Sequence, residues 1–93
     1  MTEPKQILVL ARRDHTEAMR VAAGLTIMGH GVRIVFMGEP LAETPENAEA
    51  AELLELSDIE PVSTVAAMAD EVPLLDAAGL ASAIAASDRV VNL

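Results

Sequence analysis

The first forty residues alternate between short apolar runs and polar stretches that carry helix signals. Residues 7–11 form a continuous apolar run, which is typical of a strand covered on both faces in a parallel sheet. Asp14, followed three residues later by Glu17, gives a capping-box pattern that predicts the start of a helix. Apolar residues then recur at helical spacing, and Gly29 predicts the end of this helix. A second strand is predicted over residues 32–37.

The rest of the chain predicts further alternation of helices and strands. Thr44 and Pro45 are typical of a helix N-cap and first turn, which predicts a second helix over residues 45–56. Strands that alternate with helices across short loops favour βαβ units, so the sequence predicts an α/β fold with a mostly parallel, five-stranded sheet. The remaining predicted elements are a strand at 59–63, a short helix at 65–69, a strand at 72–75, a helix from Asp76 to about Ser87, and a strand at 89–93.

Composition limits how such a fold is stabilised. The 93 residues are enough for a single domain, assigned to residues 1–93, and 52% are hydrophobic although Phe36 is the only aromatic residue. A core built from Ala, Leu, Val, Ile and Met leaves a small domain little surplus stability. Burying another apolar face against a second copy would add stability, so we predict a homo-oligomer, either a dimer or a trimer.

The charge balance excludes several classes of partner. Fifteen acidic residues against six basic ones give a formal net charge of -9, which repels phosphate backbones and anionic lipid surfaces. A single aromatic residue also leaves little surface on which nucleic-acid bases could stack. We therefore expect no nucleic acid and no membrane as a partner. The polar start and the short apolar run behind it fit neither a signal peptide nor a membrane span, so we expect a cytoplasmic protein.

Most motifs that carry chemistry are missing from the sequence. The chain has no cysteine, which excludes disulfides, thiolate metal sites and thiol nucleophiles. Gly29-His30-Gly31 follows a predicted helix, whereas a phosphate-binding loop needs its glycines between a strand and a helix. His15 and His30 stand at opposite ends of the first predicted helix, roughly 22 Å apart, so they cannot share a metal ion. We expect no metal and no cofactor.

Polar side chains at the ends of two predicted strands form a candidate ligand site. Open α/β sheets bind ligands at this end, where a helix start offers free N–H groups and the positive end of its dipole. Two guanidiniums suit a carboxylate, phosphate or sulfate, so we predict a weak site for a small anionic ligand. The alternative interpretation is solvated loop charges and turn or cap residues. The candidate residues are Arg12, Arg13, Asp14, His15, Ser63 and Thr64.

Three stretches of the chain together follow the pattern of a known family. The opening strand, Lys5-Gln6-Ile7-Leu8-Val9-Leu10, precedes a polar loop and an alanine-rich helix. The most specific stretch contains the second predicted strand with glycines on both sides, Gly29-His30-Gly31-Val32-Arg33-Ile34-Val35-Phe36-Met37-Gly38. The third is Ala86-Ser87-Asp88-Arg89-Val90-Val91, near the last residue of the sequence. In their order and texture these segments resemble the DsrE/DsrF-like family of small sulfur-relay proteins.

The resemblance implies a fold but not a reaction. It implies a three-layer α/β/α sandwich around a five-stranded sheet, the DsrEFH-like fold, usually assembled into dimers, trimers or hexamers. Active members of that family carry a persulfide on a cysteine shortly after the third strand. This chain has Pro61-Val62-Ser63-Thr64 in that region, and a hydroxyl cannot replace a thiolate in holding sulfane sulfur. No catalytic residue of the family can therefore be assigned here.

Three functions stay open at this point. The first is a non-catalytic binding or assembly module related to the sulfur-relay proteins. The second is a binder of a small anion or nucleotide, centred on Arg12, Arg13 and His15 in the strand-end loops. The third is a hydrolase-type enzyme that uses Asp14, His15 and a serine from another loop or subunit.

We predict that this chain carries no persulfide, because it has no thiol to hold one. After incubation with a cysteine desulfurase and isotopically labelled cysteine, intact-protein mass spectrometry should find the unmodified mass. A covalent gain of one sulfur that survives washing and is reversed by a reductant would contradict this prediction.

Overall fold

The computed structural model describes residues 3–93 as an α/β fold with one parallel sheet. The elements are β1 at Gln6–Ala11, α1 at His15–Ile27, β2 at Gly31–Phe36, α2 at Pro45–Leu56, β3 at Val62–Ser63, a 3₁₀ turn at Ala66–Met68, α3 at Ala77–Ala85 and β4 at Arg89–Asn92. All strand pairs are parallel, and the order across the sheet is β3-β2-β1-β4. The predicted α/β class and parallel sheet are confirmed.

β1 is an inner strand of the sheet and is buried on both faces. Ile7, Val9 and Ala11 pack in one hydrophobic cluster, which also contains apolar residues of α1 and α2. Leu8 and Leu10 belong to a second cluster on the other face, together with residues of α3. This alternation is the period of two that a strand requires. Helices therefore cover both faces of the sheet, as the continuous apolar run predicts.

Each α-helix begins at the N-cap residue that the sequence predicts. The side chains of Asp14, Thr44 and Asp76 accept the backbone N–H three residues further on, at 3.0, 3.1 and 2.7 Å respectively. Such caps satisfy N–H groups that have no acceptor inside the helix. The longest helix, α1, has 13 residues, and no helix within residues 3–93 is long and apolar enough to cross a membrane.

The described residues form four strands, where the sequence predicts five. Within the predicted strand at 72–75, only Leu74 pairs, as an isolated parallel bridge to Ser63. Pro73 has no N–H to donate, and Pro61 stands directly before the two-residue β3. Pairing is consequently confined to Ser63, whose N–H donates to the Pro73 carbonyl at 3.0 Å.

The other boundaries differ from the predicted ones by a few residues. The second helix, Pro45–Leu56, has the predicted ends because its cap and proline are local signals. The short helix predicted at 65–69 is a 3₁₀ turn, and α3 ends at Ala85, before Ser87. Gly29 directly follows Met28, the C-cap of α1, and adopts a left-handed φ of 93°, the conformation that ends a helix most readily.

Gly38 brings the loop after β2 close to the loop after β1. Its φ is 85°, and a Cβ atom at this position would lie 3.1 Å from the carbonyl oxygen of Arg12. Residues with a side chain reach this left-handed region at a cost of about 1–2 kcal/mol. The close approach of the two strand-end loops therefore requires glycine.

We expect Gly38→Ala to lower the free energy of unfolding by about 1–2 kcal/mol, because it adds a Cβ to a left-handed residue in tight contact. Urea unfolding followed by circular dichroism measures this change. Gly24→Ala is the matched control, since a Cβ there meets nothing within 4 Å inside α1. That control should gain about 0.5–1 kcal/mol. Equal effects of the two substitutions would contradict the role assigned to Gly38.

Candidate functional site

A cleft of about 680 Å³ lies between the start of α1 and the segment that joins β2 to α2. It is at the carboxyl ends of β1 and β2, the end of a parallel sheet where ligands usually bind. Of the predicted site residues, Arg13, Asp14 and His15 line it, and Arg12, Ser63 and Thr64 do not. The structure therefore brings together only part of the predicted set.

His15 is held in place by two contacts and is only 8% exposed. Its Nε2 lies 3.1 Å from the carbonyl oxygen of Met37, which directly follows β2. A carbonyl accepts only, so Nε2 carries the hydrogen in this contact. The imidazole also meets the Phe36 ring edge to face, with the ring centroids 5.4 Å apart. His15 thus ties the start of α1 to the end of β2.

Asp14 and its neighbours use several of the N–H groups that an anion would need. The N–H groups of Arg13 and Asp14 both donate to the carbonyl oxygen of Leu93, each at 3.0 Å. The Asp14 carboxylate accepts the N–H of Glu17 at 3.0 Å. Because the Asp14 N–H donates to Leu93, it is not available to the Glu17 side chain. Only the first half of a capping box, the Asp14 carboxylate accepting the Glu17 N–H, is therefore formed. His15 and Thr16, the first two residues of α1, are left without intrahelical acceptors for their N–H groups.

The two arginines lie on the surface, next to a small cavity of about 230 Å³. Arg12, Arg13, Asn92 and Leu93 line this cavity, and Arg13 also lines the larger cleft. Both guanidiniums are exposed, so a bound anion would compete with water for them. The anion site stays a prediction.

Ser63 is fully buried and acts inside the fold. Its Oγ donates to the carbonyl of Phe36 at 2.8 Å and accepts the N–H of Val65 at 2.9 Å. Both roles of the hydroxyl are therefore used, and a nucleophile needs access to its substrate. Thr64 donates its backbone N–H to the same Phe36 carbonyl, at 3.1 Å. This pair closes the end of β3 against β2.

Sequence reasoning missed several residues that line the cleft. Thr16 donates its hydroxyl to Oδ1 of the buried Asn47, whose Nδ2 donates to the Ala42 carbonyl at 2.8 Å. Arg20 also lines the cleft, four residues after Thr16 and on the same face of α1. This helical spacing is a signal in the sequence that could have identified it. Asn47 gave no signal, because its partners are distant in the chain. The other charged lining residues are Glu39 and Glu46.

The cleft combines opposite charges without a metal-binding set. Two guanidiniums and three carboxylates line it, so its walls offer an anion no consistent attraction. Within residues 3–93, no three side chains of the His, Cys, Asp or Glu type are grouped so as to hold a metal ion. The arrangement favours a structural role for the start of α1 over general acid–base chemistry.

Comparisons with known proteins give no match to this chain. No protein-family model matches it, no curated protein matches it, and no solved structure matches it. A proposed function consequently rests on the chain's own residues and their geometry.

We expect His15→Ala to lower the free energy of unfolding by about 2–3 kcal/mol, because it removes a buried ring and the hydrogen bond to Met37. Thermal and urea unfolding measure the change. Arg13→Ala, at a neighbouring exposed position, should stay within about 0.5 kcal/mol of the parent chain. If both variants unfold like the parent, His15 does not hold α1 to β2.

Proposed function

We propose that this protein is a non-catalytic assembly module related to the DsrE/DsrF-like sulfur-relay proteins, and that it self-associates through α3. The five-stranded DsrEFH-like fold is part of the proposal, with the segment around Leu74 at the position of the additional strand. Its support is the parallel bridge from Leu74 to Ser63, on the outer side of β3. The missing cysteine supports a role in binding rather than in sulfur transfer.

The observation that carries the proposal is the exposure of an uncharged helix. The nine residues of α3, AAGLASAIA, include no charged side chain, yet only Ala83 among them is buried. Ile84 is 41% exposed, and Val90 of the neighbouring β4 is 37% exposed. Val90 pairs with Leu8, whose side chain belongs to the cluster that contains Ala83, so both lie on the α3 side of the sheet. We call α3 together with Val90 the α3 surface.

The absence of charge makes the α3 surface the place where two copies of this acidic chain can meet with least repulsion. Two chains that each carry a net charge of -9 repel, and contact is least unfavourable where charges are absent. α2 carries Glu46, Glu49, Glu52 and Glu55, whereas α3 carries no charge at all. Surface charges far from a contact are screened beyond about 8 Å at physiological salt. An uncharged surface on an acidic chain therefore suits contact with the same surface of another copy.

The small side chains of α3 also suit close contact between two helices. Its exposed positions are mostly alanine, including Ala77, Ala81 and Ala85, which recur every four residues along one side. Helices with small side chains at the contact approach to the short end of the usual 8–10 Å axial distance. A contact between equivalent surfaces closes as a two-fold dimer, so we propose α3 packed against α3.

Two hydrogen-bonding patterns count against the hydrolase alternative. His15 uses Nε2 on a backbone carbonyl, and Ser63 uses its hydroxyl both as donor and as acceptor. A serine nucleophile needs a base within hydrogen-bond reach, and neither serves the other here. The anion-binding alternative keeps Arg12 and Arg13 as its residues, although the Leu93 carbonyl already accepts two neighbouring N–H groups.

We expect light scattering behind size exclusion to give an oligomer mass at micromolar concentration, and Ala81→Glu to give the monomer mass. The substitution places a charge in the uncharged contact, where two copies would bring like charges together. Ala48→Glu is the matched control, since it puts the same change on an exposed position of α2. A monomeric parent chain, or dissociation by Ala48→Glu and not by Ala81→Glu, would contradict the proposal.

A further inference from the structure

A groove of about 830 Å³ lies between α2 and the segment 59–73. This volume falls within the range of about 300–1,000 Å³ that is typical of small-molecule sites. We call it the α2 groove. It lies on the α1–α2 side of the sheet, because Phe36, Leu54 and Met68 of that hydrophobic cluster line it. None of its lining residues belongs to the α3 surface.

The floor of the α2 groove is apolar. Met19 of α1, Phe36 of β2 and Leu54 of α2 lie beneath it and are almost fully covered, each at most 2% exposed. The partly buried side chains of Val32, Leu41 and Val72 line the groove and present apolar surface to it. Ile59 and Met68, from the segment across the groove, complete the floor and are also buried. Methionine side chains adapt easily to the shape of a bound group. Such a floor favours an apolar body.

The rim of the α2 groove is acidic. The exposed carboxylates of Glu55, Asp58, Glu60 and Glu71 line it, and Arg33 is the only basic residue among its lining groups. The C-terminal end of α2 also lies at this rim, and a helix dipole adds about half a negative charge there. Rim and dipole act in the same direction, so the opening attracts positive charge and repels anions.

Asp58 occupies a position that local rules assign to other residues. It follows the C-cap of α2 with a φ of 57°, a left-handed conformation where glycine or asparagine is usual. Its carboxylate also lies at the negative end of the α2 dipole, where a basic residue would be stabilising. The dipole opposes an aspartate here, whereas the left-handed conformation accommodates aspartate better than most other residues. A charge placed against the helix dipole at the rim of a cavity is the kind of local conflict expected at a functional site.

From the apolar floor and the acidic rim together, we propose that the α2 groove binds a small organic cation, an amine or quaternary ammonium on an apolar body. The apolar part occupies the floor, and the cationic group lies among the rim carboxylates. The inference goes beyond self-association at the α3 surface and uses different residues. Failure of one proposal therefore leaves the other standing.

Benzyltrimethylammonium is a suitable probe, with phenylacetate and benzyl alcohol as its anionic and neutral counterparts. In amide NMR titrations, the cation should shift the backbone signals of Leu54, Ile59 and Met68, and the two counterparts should bind more weakly or not at all. The shifts should diminish as salt is raised, since exposed charges are screened. A neutral or anionic counterpart that binds as tightly as the cation would overturn the proposal, as would cation-induced shifts confined to other surfaces.

Variants of the rim give a second test that leaves the floor intact. A triple variant, Asp58→Asn with Glu60→Gln and Glu71→Gln, should weaken binding of the probe about tenfold, because each of the three exposed carboxylates contributes a modest attraction to the cation. The control combines Glu43→Gln, Glu46→Gln and Glu49→Gln, which makes the same change in net charge away from the groove. That control should retain the affinity of the parent chain to within twofold or so. Equal weakening by both triple variants would assign the effect to net charge alone and overturn the proposed site.

Discussion

β1 lies between β2 and β4, and all five of its residues from Ile7 to Ala11 are buried. Its side chains alternate between the two hydrophobic clusters, so the helices on each face pack against the same strand. Phe36 is the only aromatic side chain available to fill space, so both clusters depend on many small contacts. β1 also delivers Arg12, Arg13 and Asp14 to the end of the sheet. Because β1 is buried within the sheet, the loop that follows it, and with it the strand-end cleft, lies at the carboxyl end of the sheet.

The helices on the two sides of this strand differ in how many residues they bury and in how much charge they carry. Both proposed surfaces arise from these differences. α1 and α2 bury five and three residues respectively, whereas α3 buries only Ala83. Charge also differs between the two sides, since α2 carries four glutamates and α3 carries no charge. The α1–α2 side therefore combines an apolar groove with an acidic rim. The α3 side remains uncharged, short of burial, and suited to a second copy.

The sequence predicted those parts of the fold that local signals determine. Thr44 with Pro45 located α2, and Asp14 and Asp76 located the starts of the other two helices, because capping is settled within one turn. The strand predicted at 72–75 is the main difference. Its apolar run indicates burial, but Pro73 within the run cannot donate a ladder hydrogen bond, so the pairing is limited to a single bridge.

The candidate site was less predictable because its contacts join distant parts of the chain. The carbonyl of Leu93 accepts the N–H groups of Arg13 and Asp14, and no spacing in the sequence indicates this. The sequence places Ser63 among the strand-end candidates, yet its side chain is fully buried and donates a hydrogen bond to the Phe36 carbonyl. The α2 groove depends on how α2 lies over the segment 59–73, which no local pattern encodes.

The proposed packing of α3 against α3 of a second copy can be measured directly, because the chain has no cysteine of its own. A single Ser82→Cys substitution gives a unique position for a spin label on α3 beside the alanines of the proposed contact, and Ala48→Cys gives one on α2. Double electron–electron resonance on each labelled protein measures the distance between copies. Labels at position 82 should lie in the short part of the range of the method, and labels at position 48 much further apart. A short distance at position 48 alone, or no dipolar signal at either position, would contradict the account.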